Sequence, residues 1–226
     1  WGWEPCTIPA IKAYRPSENS LSSGQVLSCP YEAAKARLVL REMADQLSLE
    51  LVEKRLVTDQ LVLTVGYDIE NLTRPEIRKV YKGPVTTDRY GRRVPKHAHG
   101  TWNLPRATSS SSELLEAMAA LYDKIVNPAL LIRRMSLSAC HVVNEKMAKE
   151  REQKETFEQL DLFTDYAKKE AKEKEEQKKR ERERRMQEAL LTIKKKYGKN
   201  AVLRGMNFEE GATAKERNGQ IGGHQA

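Results

Sequence analysis

The chain reads as an α+β protein: a four-stranded sheet with two helices on one face, followed by a long charged helix and a flexible C-terminal tail. Three observations predict this. Two segments carry apolar residues at helical spacing, several others alternate with the period of a strand, and apolar periodicity fades after residue 145, where charge takes over. Residues 1–20 hold Pro5, Pro9 and Pro16 with little apolar pattern, an extended linker. A short strand is expected over 21–27. Residues 31–53 then place Ala36, Leu40, Met43, Ala44, Leu47 and Leu51 on one helical stripe, with Ser28 and Pro30 as the start signal. Leu61, Leu63, Val65 and Tyr67 alternate with Val62, Thr64 and Gly66, a strand with one face to the core.

A weaker strand is expected over 94–104. Ser110 with Glu113 three residues on is a capping-box pattern, opening a helix whose face carries Leu114, Met118, Leu121, Tyr122 and Ile125. Asn127-Pro128 stops it. Residues 131–139 alternate again, with Leu131, Met135, Leu137 and Ala139 on one parity and Arg134, Ser136 and Ser138 on the other. The order strand, helix, strand, strand, helix, strand predicts a sheet covered on one side only. Its other side faces solvent or a partner, which puts Arg134, Ser136 and Ser138 where a ligand could meet them. Five regions follow: 1–20 linker, 21–145 folded domain, 146–164 a short apolar motif in charged surroundings, 165–197 charged helix, and 198–226 a glycine-bearing tail.

Composition bounds the function. With 226 residues, 32% charged, 6% aromatic and a net charge of +8, only part of the chain builds a core, and the balance favours polyanionic partners. Cys6, Cys29 and Cys140 are too scattered for a disulfide framework or a four-ligand zinc site, which points to a reducing cytoplasm. No apolar run approaches the roughly 20 residues of a membrane span, and no signal peptide opens the chain, so no membrane partner is expected. The chain begins at Trp1 in what reads as the middle of something, the C-terminal piece of a longer protein.

Charge is concentrated in one place. Between Arg74 and Arg106 stand nine cations, Arg74, Arg78, Lys79, Lys82, Arg89, Arg92, Arg93, Lys96 and Arg106, against Glu76 and Asp88, a net of +7. With Tyr81, Gly83, Tyr90 and Gly91 interleaved, this reads as a flexible basic loop that tracks a phosphate backbone. A loop that only solubilises usually mixes both signs.

Gln159-Leu160-Asp161-Leu162-Phe163 resembles the bacterial sliding-clamp-binding pentapeptide, Gln-Leu-any-Leu-Phe, in which the Gln amide hydrogen-bonds at a pocket edge and Leu-Phe enters an apolar cleft. The competing reading makes Phe157, Leu160 and Phe163 one apolar stripe docking a helix on the domain.

Further residues point to a family. Lys12-Ala13-Tyr14-Arg15-Pro16 and Asn19 to Leu27 resemble the linker and first strand of the little-finger domain of Y-family, or translesion, DNA polymerases. Leu61 to Tyr67, Asp88 to Lys96 with His97-Ala98-His99-Gly100, and Ile132 to Leu137 are similar to the bacterial UmuC/ImpB/MucB-like branch. The tail, Lys196 to Ala201, Gly211 to Asn218 and Ile221 to His224, resembles that branch's C-terminal tail. The resemblance implies a domain that grips primer-template DNA without reading sequence, through Arg74, Arg78, Lys79, Lys82, Arg89, Arg92, Arg93, Lys96, Arg106, Arg133, Arg134 and Ser136. It implies tethering to the bacterial sliding clamp through Gln159 to Phe163. Nucleotidyl transfer in such enzymes, with Mg2+ and dNTPs, belongs to a palm domain whose carboxylates would lie before Trp1, so no cofactor is expected here and this chain is expected to be inactive alone.

His97 and His99 share a strand face, but two ligands do not make a zinc site, and Cys140-His141 has no evident third member for nucleophilic catalysis. Two other classes stay open: a basic RNA-binding or ribosome-associated protein using the same sheet, and a scaffold that self-associates through its helical tail. The first lacks the paired exposed aromatics that stack on single-stranded bases.

Overall fold

A computed structural model of the chain describes residues 6–14, 19–88, 90–155, 166–221 and 224–225. After α1 (Ile8–Ala13) come β1 (Leu21–Tyr31), α2 (Ala33–Glu53), β2 (Leu56–Tyr67), α3 (Glu70–Thr73) and α4 (Pro75–Val80). Then follow β3 (Val85–Thr87), β4 (Arg93–Pro95), β5 (Ala98–Thr108), α5 (Ser111–Ile125), β6 (Ile132–Cys140) and β7 (Val143–Asn144). The chain continues through α6 (Glu145–Glu155), α7 (Tyr166–Tyr197), a 3₁₀ turn (Gly205–Phe208), α8 (Ala214–Arg217) and the pair β8 (Gln220–Ile221) and β9 (His224–Gln225).

The main sheet runs β1-β6-β2-β5, all antiparallel, with β7 extending one end of β2. β1 and β2 therefore point the same way with β6 between them, and β5 and β6 point the other way with β2 between them. Each pair is joined by a helix. The two crossovers step in opposite directions across the sheet on oppositely directed strands, so one handedness places both helices on one face. This is the expected α+β arrangement. α2 and α5 lie against each other over Leu61, Leu63 and Val65 of β2 and Met135, Leu137 and Ala139 of β6, all buried. Tyr122 Oη donates to Ala33 O at 2.8 Å, and Arg37 holds Asp123 with two bonds of 2.8 Å, fixing the helix pair from above.

Local signals acted largely as expected. Ser110 caps α5, its Oγ accepting from Glu113 N at 3.3 Å, and α5 ends at Ile125 before Asn127-Pro128. Two boundaries differ. Ser28 and Pro30 do not start a helix: β1 runs on to Tyr31 and α2 opens at Ala33 with Glu32 as N-cap. β1 is an edge strand with an irregularity between Val26 and Tyr31, where a proline costs no ladder bond. In β6 the alternation breaks at Arg133, a bulge against β2, so Ile132 rather than Leu131 joins the core beneath Met135.

The basic segment is not a flexible loop. It folds as α3, α4 and the β3–β4 hairpin before entering β5. Asp88 builds the hairpin turn: its Oδ1 accepts from Tyr90 N at 2.9 Å and Arg92 N at 3.0 Å, with Gly91 at φ +77° completing the reversal. Beyond Gly198 the chain is irregular, as its glycines imply, yet it has more order than a free tail: Met206 and Ala214 are buried against the domain. Gln159 to Phe163 lie outside the described residues, as does Arg89.

Candidate nucleic-acid interface

The face of the sheet away from α2 and α5, which no described element covers, is built in rows set by strand register. Gly24, Ser136, Thr64 and His99 form one row across the four strands, Ser22, Ser138, Val62 and Thr101 the next, and Val26, Arg134 and Gly66 a third. Short side chains dominate, so a large ligand can approach the strands closely. Neighbouring strands are stitched by side chains: Ser22 Oγ to Ser138 Oγ at 2.8 Å, Thr64 Oγ1 to His99 Nδ1 at 2.9 Å, and Gln60 Nε2 donating to Asn103 Oδ1 at 2.9 Å. These groups are exposed or half-buried, and each has hydrogen-bonding capacity beyond that one bond.

Arg134 lies flat across this face over Gly66. A Cβ at residue 66 would come within 2.6 Å of Arg134 Cγ and Nε, so the glycine makes the bed for that side chain. The residue as a whole stays exposed.

The predicted cations divide into two groups. Four are engaged internally. Arg74 bonds Glu70 Oε2 at 2.6 Å, and Arg92 donates to Asp88 Oδ2 at 2.9 Å from Nε while lying 5.1 Å from the Tyr90 ring centroid. Arg106 pairs with Glu113, and Arg133 donates to Ser28 O at 2.9 Å with Asp68 nearby at 3.8 Å. The others, Arg78 and Lys79 in the last turn of α4, Lys82 after it, Arg93 on β4, Lys96 and Arg134, are exposed or nearly so and form no ion pair among the described residues. Such cations attract phosphate without first breaking an internal bond. The backbone N–H groups of Arg92 and Tyr90, with the Arg92 guanidinium, hold the Asp88 carboxyl below the usual range. That acid is spent on the hairpin turn, and it leaves Arg93 and Lys96 unneutralised.

Sequence reasoning placed Arg134, Ser136 and Ser138 together on the open face. It did not bring Thr64, His99, Thr101, Ser22 and Gly66 to them, because only register across strands does so. Among the described residues no group of three or more His, Cys, Asp or Glu converges as metal ligands would. His97 and His99 are both exposed, and His99 is bonded to Thr64.

A family model described as the impB/mucB/samB family C-terminal domain matches residues 18–162. Among solved structures, a chain from "Complex of beta-clamp processivity factor and little finger domain of PolIV" aligns with 65% of this chain and 100% of its own length, at 9% identity and a TM-score of 0.36. No curated protein matches the chain.

Proposed function

The chain belongs to the impB/mucB/samB family through its C-terminal domain, and from that premise we propose that it is the DNA-gripping little-finger region of a Y-family polymerase, tethered to the sliding clamp. The observations that carry the DNA reading are an open face of short side chains with Ser22, Ser136, Ser138, Thr64, Thr101 and Arg134, and a set of exposed cations on the same domain that form no ion pair among the described residues. The cations neutralise phosphates and the hydroxyls donate to phosphate and sugar oxygens. None of these interactions reads a base edge, so grip comes without sequence preference. The primary DNA-binding residues are Arg78, Lys79, Lys82, Arg93, Lys96, Arg134 and Ser136, with Arg89 beside them in sequence. Arg74, Arg92, Arg106 and Arg133 support the surface, since each is already committed to an acid or a carbonyl.

The test is the salt dependence of binding to primer-template DNA. Changing Lys79, Lys82, Arg93 and Lys96 to Gln is expected to weaken binding and to reduce the log-log slope by about 0.9 for each phosphate that the variant no longer neutralises. An unchanged slope removes these residues from the interface. Tighter binding to duplex RNA than to duplex DNA would favour the RNA-binding class instead.

For the clamp, Gln159 to Phe163 are the proposed binding segment. Leu162→Ala with Phe163→Ala is expected to cost about 2 kcal/mol or more in clamp affinity, because two apolar anchors carry most of the energy of a small site. DNA affinity is expected to stay the same. Loss of DNA binding and thermal stability together would mean that the two residues belong to a core.

A further inference from the structure

α2 is buried on both sides. Its inner stripe, Ala36, Leu40, Met43, Leu47 and Leu51, faces the sheet and α5. Diametrically opposite, Leu38, Glu42, Asp45 and Leu49 recur at i, i+4, i+7 and i+11, and Leu38, Glu42 and Leu49 are buried as well, Glu42 to 2% exposure. What covers this outer stripe is the chain's own C-terminal part. Glu42 Oε2 accepts from the backbone N–H groups of Thr213 at 2.8 Å and Ala214 at 3.0 Å, and its Oε1 accepts from Asn207 Nδ2 at 2.7 Å. Arg204 lies on Asp45, with Lys194 close enough to influence its charge; burial pushes the Asp45 carboxyl up and the Lys194 ammonium down. Arg217 reaches Gln25 on β1 at 2.5 Å and Gln46 on α2 at 2.9 Å.

The second half of α7 is fastened as firmly. Glu183 accepts from Ser112 N at 2.8 Å and Ser110 Oγ at 2.6 Å, and so caps the start of α5. Gln187, buried, donates to Ser109 O at 3.0 Å and Ser111 Oγ at 2.8 Å, and Ser111 in turn touches Ser48 of α2 at 2.7 Å. Arg184 bonds Glu145, the first residue of α6, at 3.0 Å.

We propose that residues 183–221 are a strap docked in cis, a third layer of the domain. The polypeptide that leaves the domain at Glu145 rejoins it at Arg184, so both ends of the stretch containing Gln159 to Phe163 are tied to one place beside β7 and α5. This rests on the clamp reading above. A clamp held there is confined by two anchors rather than swinging on a single free tail, and DNA and clamp are more easily engaged together.

The test uses the full chain with a protease site inserted between Glu155 and Tyr166. After cutting, the piece beginning near Tyr166 is expected to co-elute with the domain at the mass of one intact chain at every concentration. Glu42→Lys with Gln187→Lys is expected to release it. Asn207→Asp, which sets a carboxylate against Glu42 from the tail side and leaves the domain's own sequence intact, is expected to weaken co-elution in the same direction. Separation of the unsubstituted pieces, retention by the variants, or elution at twice the mass through tails exchanged between two copies would each overturn docking in cis. In the uncut chain, the strap variants are expected to keep clamp affinity and DNA affinity within about twofold when each is measured alone. They are expected to lose about tenfold in binding to primer-template carrying a loaded clamp. An unchanged joint affinity overturns the coupling. If the unsubstituted chain binds no clamp at all, the clamp reading fails while the co-elution result still decides the strap.

Discussion

The two sides of α2 are buried by different chemistry. Toward the sheet, leucines and methionine pack against leucines and valines of β2 and β6, an interaction without direction that depends on volume and area. Toward the tail, Glu42 and Gln46 meet backbone amides, the Asn207 amide and Arg217 through hydrogen bonds that are right in only one register, and Asp45 meets the charge of Arg204. The apolar side supplies cohesion, and the polar side specifies which segment docks and where. The same contrast holds for the sheet: its covered face is apolar, and its open face carries mainly short side chains, several of them hydroxyls, with His99 and Arg134.

The largest effect expected from this contrast is Leu63→Ala, which empties a fully buried site beneath both helices and is expected to cost about 2–5 kcal/mol in urea unfolding. A cost below about 1 kcal/mol would mean that the covered face is not the cohesive one. Glu42→Ala is expected to cost about 1–3 kcal/mol, because it orphans the amides of Thr213 and Ala214 and the side chain of Asn207 together. Its signature is faster amide exchange confined to residues 199–221 and the outer side of α2. Uniformly faster exchange across the sheet would erase the distinction between the two sides.

On the open face, Gly66→Ala is expected to lift Arg134 off the sheet. DNA affinity is expected to fall several-fold with little change in unfolding free energy; a change in stability without a change in affinity would place Arg134 among the structural residues. The smallest effect concerns the hairpin. Asp88 is depressed by the N–H of Arg92 first, then by its guanidinium and by Tyr90 N. A depressed carboxylate stabilises its partners above its free-chain pKa of about 3.9, and that support is lost as pH falls through the lower folded value. The Tyr90 and Arg92 amide signals are therefore expected to move only below about pH 4, with the main sheet undisturbed. Movement centred at or above the ordinary value would show the turn is not held by Asp88.

Much of this was legible because it is written within single elements. The inner stripe of α2, the cap at Ser110, the stop at Asn127-Pro128 and the alternation of β2 each depend on residues a few positions apart, and periodicity and capping act at that range. The open-face parity of Arg134, Ser136 and Ser138 was legible for the same reason, and so was the charge concentration between Arg74 and Arg106. Two of the internal pairings, Arg74 with Glu70 and Arg92 with Asp88, are themselves four residues apart and could have been read from spacing.

Other features needed the folded chain. The rows that join Thr64 and His99 to Ser136 come from register between strands, and the bulge at Arg133 that turns Ile132 inward is set by two neighbours at once. Arg133 on Ser28 and Arg106 on Glu113 were hidden, since the first pair is 105 residues apart and the second spans a strand end and a helix start. Glu42 shows the division best. In sequence it is an ordinary helix carboxylate, and nothing within a turn of it marks it as buried. Its partners at 207, 213 and 214 arrive only after the chain has passed through the whole domain. Local chemistry by itself determined the elements and their faces, because each is decided by the water or core its own side chains prefer. Tertiary structure decided which distant groups meet, because a polar interaction is worth forming only when both partners lose water at the same place.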